Sequence, residues 1–152
     1  MNVTYSMEIN APIEQAFDCV NDEDKIKQWA QGVEEIIHLE PWNPDRPVGS
    51  RFKQKIREGG RLADYEGEIV AYDKPAHLAI TLGSRAFTMR VDYRFSRVND
   101  TTTRLDYTAT MIQANLLARI MGVAFGWMTR RILTRQMTAL KALAEGNARD
   151  GR

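Results

Sequence analysis

The chain has 152 residues, of which 43% are hydrophobic and 27% are charged, and its 21 lysines and arginines nearly balance its 20 aspartates and glutamates. The net charge of +1 provides no overall field to attract nucleic acid, for which a basic domain is expected. We expect one domain at residues 1–146 with a frayed polar tail at 147–152. A domain of this size has a core large enough to contain a cavity.

The sequence predicts a cytoplasmic location. Residues 1–6 have neither the basic nor the apolar segment of a secretory signal. The longest mostly apolar run, residues 116–128, is far shorter than the roughly 20 residues that cross a membrane, so no transmembrane segment is expected. Cys19 is the single cysteine, which fits a reducing compartment and predicts a small buried core residue.

The first third of the chain reads as a strand followed by two short helices. Apolar and polar residues alternate at 3–9, which predicts a half-buried strand. Pro12 suits the first position of a helix, because its missing N–H costs nothing there, and Phe17 lies on the apolar face of that helix. Asp22 can cap a second short helix, and Gly32 ends it.

Six further strands are predicted as a meander. The strand at 33–40 has an ambiguous phase, and the proline-rich segment 41–49 reads as a loop. Gly59-Gly60 is a strong signal for a tight hairpin. The strands at 87–96 and 104–111 alternate strictly, which is typical of an antiparallel sheet with one packed face and one wet face.

The last element is a helical pattern at 115–145 whose two halves disagree about the buried face. In its second half one stripe is apolar: Ile132, Leu133, Ala139, Leu140 and Leu143. Continued backwards, that stripe passes through Phe125 and the small residues Ala118, Gly122 and Gly126. The apolar residues Leu116, Ile120, Val123 and Trp127 then fall on the face that should meet water. A break at Gly122 is the alternative, since glycine in a helix costs about 1 kcal/mol.

These elements predict an α+β helix-grip fold. A long one-sided sheet must curl over something apolar, and the C-terminal helix is the large apolar element that remains. We therefore expect a curved, seven-stranded antiparallel sheet wrapped around a long C-terminal helix, with two short helices after the first strand.

The residues that carry a family resemblance are spread over nearly the whole chain. They are Ile9-Asn10-Ala11-Pro12 leading to Phe17, Asp24 to Trp29, Gly49, Gly67-Glu68-Ile69 before Asp73-Lys74-Pro75, and residues 140–145. With them the chain resembles the START-like, or SRPBCC, superfamily, and most of all its branch of polyketide cyclases/dehydrases and lipid-transport domains. The resemblance implies a deep cavity between sheet and long helix for hydrophobic ligands such as lipids, quinones or aromatic polyketides. The superfamily has no shared catalytic motif, so the resemblance assigns no catalytic residue.

The inward positions of the predicted strands are apolar with a few neutral hydrogen-bond donors, and the strand carboxylates fall on the opposite face. The predicted ligand-binding residues are Trp29, Phe52, Gln54, Tyr65, Ile69, Ile80, Phe87, Met89, Val91, Tyr93, Tyr107, Met111, Ala118, Met121, Gly122 and Phe125. No cofactor is expected, and no metal site, because His38 and His77 are the only histidines and lie on different strands. His77, beside a turn, is expected to be solvated.

Three functions are compatible with this pattern. The leading hypothesis is a binding or carrier protein for a hydrophobic small molecule held between sheet and C-terminal helix. The second is a polyketide cyclase/dehydratase-like enzyme, which needs a cavity acid or base from His38, Asp64 or Glu35. The third is a protein-interaction module acting through the outer face of helix 116–127. The sequence leaves open whether any reaction is catalysed.

The outer apolar patch also allows a homodimer contact or a membrane-surface contact. Both would be made through Leu116, Ile120, Val123 and Trp127, since large exposed apolar patches commonly mark contact surfaces.

Overall fold

The computed structural model describes residues 2–124 and 126–151, and the side chains of residues 122–124, 127 and 128 are outside that description. Predictions for Phe125, and for the side chains of Val123 and Trp127, therefore lie outside the described residues. The elements in chain order are β1 (Asn2–Ile9), α1 (Ile13–Asn21), α2 (Glu23–Trp29), β2 (Val33–His38), β3 (Arg51–Glu58), β4 (Arg61–Asp73), β5 (His77–Gly83), β6 (Phe87–Asn99), β7 (Thr102–Ala114), α3 (Leu116–Ala124) and α4 (Gly126–Arg149).

The strands form one antiparallel sheet of seven, in the order β1-β7-β6-β5-β4-β3-β2. The six strands of the meander are neighbours in sequence order, and β1 adds to the free edge of β7. This is the predicted sheet. The helix-grip architecture is confirmed, with α4 packed against α1, α2 and β1.

The strand register also fixes the phase of β2, which the sequence left ambiguous. Ile36 lies opposite Gln54 and His38 lies opposite Phe52, so all four belong to the inner face of the sheet. The register shifts between Val33 and Glu35. A bulge of this kind adds a residue on one strand, and it therefore disrupts the alternation on which a sequence-based phase depends.

The core lies between the inner face of the sheet and the helices. The Phe17 ring of α1 packs edge-on against Tyr72 and Phe95, with ring centroids 5.7 and 5.9 Å away. From α4, Met137 and Leu140 are fully buried. Burying a side chain of this size stabilises the fold by about 1.5–3 kcal/mol, so α1 and α4 hold each other on the sheet.

Hydrogen bonds fix the two short helices at their ends. The hydroxyl of Thr103 donates to the carbonyl of Ala11 over 2.7 Å in a buried position. The Asn10 N–H donates to Glu145 Oε2 over 2.8 Å. Asp22 caps α2 by accepting from the N–H of Asp24 at 3.0 Å, as its sequence position predicted.

The C-terminal segment differs from the prediction in two ways. The helical pattern is described as two helices, α3 (Leu116–Ala124) and α4 (Gly126–Arg149), and α3 runs through Gly122, the residue at which a break was the alternative. Helix α4 continues to Arg149, so residues 147–149 of the predicted frayed tail are helical. No helix in the described part of the chain is long and apolar enough to cross a membrane.

The buried stripe of α4 is also shifted by one residue from the predicted one. Ile132 is exposed, whereas Leu133, Met137, Leu140 and Ala144 are buried. The observed spacing of four, three and four residues follows one face of a helix. The predicted stripe contained Ile132 and omitted Met137, whereas Ala139 and Leu143 of that stripe do pack against the core.

An ionic cluster on the outer face links β5 to β6. His77 Nε2 lies 2.7 Å from Asp92 Oδ1, and Arg90 Nε lies 3.0 Å from Asp92 Oδ2. The expectation of a solvated His77 is wrong, since its side chain is only 17% exposed. Burial acts to raise the pKa of Asp92, but the hydrogen bonds from Arg90 and His77 outweigh it and hold this pKa below its usual range. The cluster thus pins the two strands from outside.

We expect Asp92→Asn to lower the free energy of unfolding by about 1–2 kcal/mol at pH 7, because a nearly buried charge pair is lost. The matched control Asp106→Asn, whose partner Arg104 is half exposed, should change it by less than about 0.5 kcal/mol. Urea unfolding across the acid range measures both.

The pH dependence follows from the lowered pKa of Asp92. Its stabilisation is fully present above the unfolded value near 3.9 and is lost as the pH falls through the lower folded value. The difference between wild type and Asp92→Asn should therefore disappear in strong acid. A difference that persists there would contradict an ionic origin.

Candidate ligand-binding cavity

A cavity of about 280 Å³ lies between helices α1–α2 and the inner face of the sheet. Its volume is at the lower end of the range of about 300–1,000 Å³ typical of small-molecule pockets. The cavity is lined by Val20, Asn21, Glu23, Ile26, Trp29, Ile36, His38, Trp42, Phe52, Gln54, Ile69, Leu78, Ile80 and Tyr93. The walls are therefore mainly aliphatic and aromatic.

Trp29 forms the wall at the end of α2. Its indole N–H donates to the carbonyl of Cys19 over 2.6 Å in a buried position, which fixes the ring without using a cavity-facing group. Its ring also lies edge-on to Tyr93, with centroids 6.3 Å apart. Satisfying the one polar atom of the indole inside the protein leaves an apolar surface for a ligand.

Phe52 lies on the sheet because Gly67 of β4 has no side chain. A Cβ atom at Gly67 would stand 2.5 Å from Phe52 Cζ and 2.7 Å from the carbonyl oxygen of Thr81. Gly67 and Phe52 lie opposite each other in the β3–β4 register. The glycine thus gives the Phe52 ring the room it occupies, and with it the shape of this cavity wall.

The polar side chains of Asn21, Gln54 and Tyr93 in the lining make no hydrogen bond among the described residues. Gln54 is 8% exposed, and no hydrogen bond among the described residues involves its side-chain amide. The same holds for the hydroxyl of Tyr93. Burial, with a contribution from neighbouring Tyr107, raises the pKa of Tyr93 well above its usual value. That hydroxyl therefore remains protonated and can donate a hydrogen bond.

A second polar region lies at the solvent-exposed edge of the cavity. His38 Nε2 of β2 forms a close hydrogen bond with Glu23 Oε1 of α2, and each side chain is roughly one-third exposed. Trp42, from the loop before β3, lies against the His38 ring with centroids 6.0 Å apart. Glu23 corrects the expectation of a lining without carboxylates, because it comes from a helix and the expectation considered strands alone.

Six of the predicted ligand-binding residues meet in this cavity. They are Trp29, Phe52, Gln54, Ile69, Ile80 and Tyr93. The remaining described residues of the predicted set do not line it: Tyr65, Phe87, Met89, Val91, Tyr107, Met111, Ala118 and Met121. Gly122 falls outside the described part of the helix in this respect. Tyr65 instead donates to Glu58 over 2.6 Å, and Met121 is half exposed. Phe125 lies outside the described residues, and the ligand-binding role of the whole set remains a prediction.

The described walls of the cavity come from the sheet and helices α1–α2, which differs from the predicted position. The cavity was expected between the sheet and the C-terminal helix, yet no described residue of α3 or α4 lines it. The reason is that the buried face of α4 is filled by Leu133, Met137 and Leu140. Sequence reasoning missed Ile26 and Glu23 of α2, although the spacing of Ile26 and Trp29 did indicate a helix face turned to the sheet.

Of the three acid–base candidates, His38 alone reaches the cavity. Asp64 and Glu35 are exposed on the outer face of the sheet, where both pair with Lys55 in the strand register. Cys19 is buried, as predicted, and burial raises the pKa of its thiol to about 11. A thiol that stays protonated is a poor nucleophile, so Cys19 is structural.

The sequence of residues 1–145 matches the family model described as polyketide cyclase / dehydrase and lipid transport. The chain belongs to this family. The search of curated proteins found no match.

Several solved structures share the fold of this family member. A START superfamily protein from Mycobacterium smegmatis is 15% identical, with 99% of each chain covered and a TM-score of 0.71. The Zhui aromatase/cyclase from Streptomyces sp. R1128 is 13% identical, with 98% of this chain and 93% of that chain covered and a TM-score of 0.72. A conserved protein from Geobacillus kaustophilus is 15% identical over 97% of each chain, with a TM-score of 0.72. At these identities the likeness extends to the fold alone.

The glycine beneath Phe52 provides a test of the cavity wall. We expect Gly67→Ala to lower the free energy of unfolding by about 1–3 kcal/mol, because the ring or the strand must shift. Gly146→Ala is the matched control, since its new Cβ meets no atom closer than 3.9 Å and should stabilise helix α4 by about 0.5–1 kcal/mol. Chemical denaturation measures the free energy of unfolding of both variants. A change of the same sign in Gly67→Ala and Gly146→Ala would contradict the packing described for Gly67.

Proposed function

We propose that this protein binds and carries a hydrophobic small molecule that bears a carbonyl group, within the cavity between the sheet and helices α1–α2. The observation that carries the proposal is the unpartnered, buried side chain of Gln54 in an apolar lining. The family and the solved relatives support a hydrophobic ligand in general terms.

The polar groups indicate the chemistry of the ligand. The Gln54 amide has no hydrogen-bond partner among the described residues and borders the cavity, so a ligand can accept from it or donate to it. Tyr93 supplies a second donor because its raised pKa keeps the hydroxyl protonated. Two neutral donors among apolar walls suit a carbonyl oxygen, and they do not suit a carboxylate, which would need a cation.

The volume of the cavity limits the size of the ligand. At about 280 Å³ the cavity is small for a ligand pocket. We therefore propose compact ring compounds, such as a quinone or a short aromatic polyketide, as cargo in preference to a whole two-chain lipid.

Replacing the buried amide tests this function. We expect Gln54→Leu to bind carbonyl-bearing ring compounds at least about tenfold more weakly, while the empty protein becomes as stable or more stable, because an unpaired polar group is removed. Gln113→Leu, at an exposed position of β7, is the matched control. Binding of a naphthoquinone and of naphthalene is measured by tryptophan fluorescence and native mass spectrometry. Because only the quinone carries carbonyl groups, the difference between the two affinities gives the contribution of the carbonyl to binding.

A cavity-filling variant tests the location. Ile80→Trp should abolish binding of both compounds, whereas Leu62→Trp at the exposed start of β4 should leave it unchanged. Wild-type protein that binds neither compound, and carries no hydrophobic molecule after gentle purification, would overturn the carrier function.

A specific observation favours a second candidate, an enzyme of the cyclase/dehydratase type. The hydrogen bond from His38 to Glu23 at the cavity edge is the arrangement in which a carboxylate orients an imidazole for proton transfer. His38 would remove a proton next to the ligand carbonyl and return it to the departing hydroxyl as water. Such general acid–base help contributes about 10²- to 10⁴-fold in rate.

Substitution of the two histidines separates the enzyme from the carrier. With a β-hydroxy ketone of ring type as substrate, His38→Gln should lower the dehydration rate at least about 100-fold without weakening ligand binding. His77→Gln, on the outer face, is the control and should keep the wild-type rate. An unchanged rate in His38→Gln would reject the enzymatic candidate and leave the carrier intact.

A further inference from the structure

Helix α3 and the end of β7 present an apolar surface that the described fold leaves uncovered. The exposed fractions are 73% for Leu116, 68% for Leu117, 54% for Ile120 and 49% for Met121, and 57% for Ile112 on β7. These residues define the α3 surface. Exposed apolar patches of this kind mark contacts with a partner or a membrane. The side chains of Val123 and Trp127, which the sequence placed on this patch, lie outside the described residues.

The exposed residues share one side of the helix. Leu116 and Ile120 are four residues apart, as are Leu117 and Met121, and residues at this spacing lie next to each other on a helix surface. Ala118 falls on the opposite side and is partly buried. Helix α3 is therefore amphipathic in the reverse of the usual sense, with its small residue inward and its large apolar residues outward.

Four arginines of helices α3 and α4 make no ion pair among the described residues. Arg119 of α3 is exposed, as are Arg130, Arg131 and Arg135 of α4. None of the ion pairs among the described residues involves these four arginines. The sequence from residue 107 to residue 144 contains no aspartate or glutamate, so nothing on this part of the chain neutralises them.

We propose that the α3 surface docks this protein onto an anionic phospholipid membrane. Large apolar side chains next to arginines are what an interfacial helix needs, with the apolar face in the boundary between headgroups and acyl chains. Arginines near such a surface each add about fivefold to binding through the negative lipid charge. The inference does not depend on what the cavity binds.

The same charges argue against a dimer through this surface. A two-fold contact places the same patch of both copies face to face. Arg119 on α3 of one copy would then be brought towards Arg119 of the other, with no carboxylate between residues 107 and 144 of either copy to compensate. An anionic lipid surface, by contrast, satisfies both the apolar and the basic parts of the patch.

The experiment is co-sedimentation of the full chain with phosphatidylcholine vesicles, with and without phosphatidylglycerol. We expect binding that requires phosphatidylglycerol and falls with added salt. Leu117→Glu should weaken it at least about tenfold, and Arg131→Glu at least about fivefold. Val98→Glu and Arg61→Glu, both at exposed positions elsewhere on the sheet, are controls for the apolar and charge changes and should bind like wild type.

Thermal unfolding of each variant shows that lost binding is not lost folding. Absence of vesicle binding, or equal loss in Val98→Glu and Leu117→Glu, would overturn the proposal. Sedimentation analysis of the protein without vesicles measures its oligomeric state. A dimer that Leu117→Glu dissociates would also overturn the proposal, in favour of a contact between two copies.

Discussion

The buried hydrogen bond from the Thr103 hydroxyl to the carbonyl of Ala11 is the link on which the cavity depends. It ties the turn before α1 to β7, next to the strand edge where β1 enters the sheet. Glu145 holds the same turn from α4 through the N–H of Asn10. Trp29 holds α2 to α1 through the carbonyl of Cys19. These bonds fix the start of α1 to the sheet and α2 to α1, and they place the helix pair over the cavity residues Gln54 and Ile80.

The cavity has two polar regions with different chemistry. Gln54 and Tyr93 are neutral donors in the interior, whereas His38 and Glu23 are a titratable pair at the edge. The neutral donors and the titratable pair are separate side chains, so the proposed ligand binding and the alternative proton transfer would use different groups of the same cavity.

The sequence predicted the sheet well because its strands alternate strictly, as in β6, and alternation reports burial directly. It failed where tertiary pairing decides. The bulge at Val33 to Glu35 hid the inward phase of His38, and the strand register brought Asp92 to His77 on a face that alternation marks as wet. The position of the cavity was missed for a related reason: helical periodicity shows which face of α4 is apolar, but it does not show that Leu133, Met137 and Leu140 fill that face completely.

Helix α3 and the cavity lie in different parts of the fold, so the proposed membrane docking and the proposed ligand binding use separate surfaces. Helix α3 contacts β7 and α4, whereas the cavity is lined from β2 to β6 and has its polar edge at α2 and β2. Because β7 and β2 are five strands apart in the sheet, a membrane that holds α3 does not press on His38 or Glu23. A ligand therefore need not pass through the docked surface to enter. Leu116 and Leu117 are mostly exposed in the described fold, so the membrane contact proposed for them and the ligand binding proposed for the cavity can be tested separately.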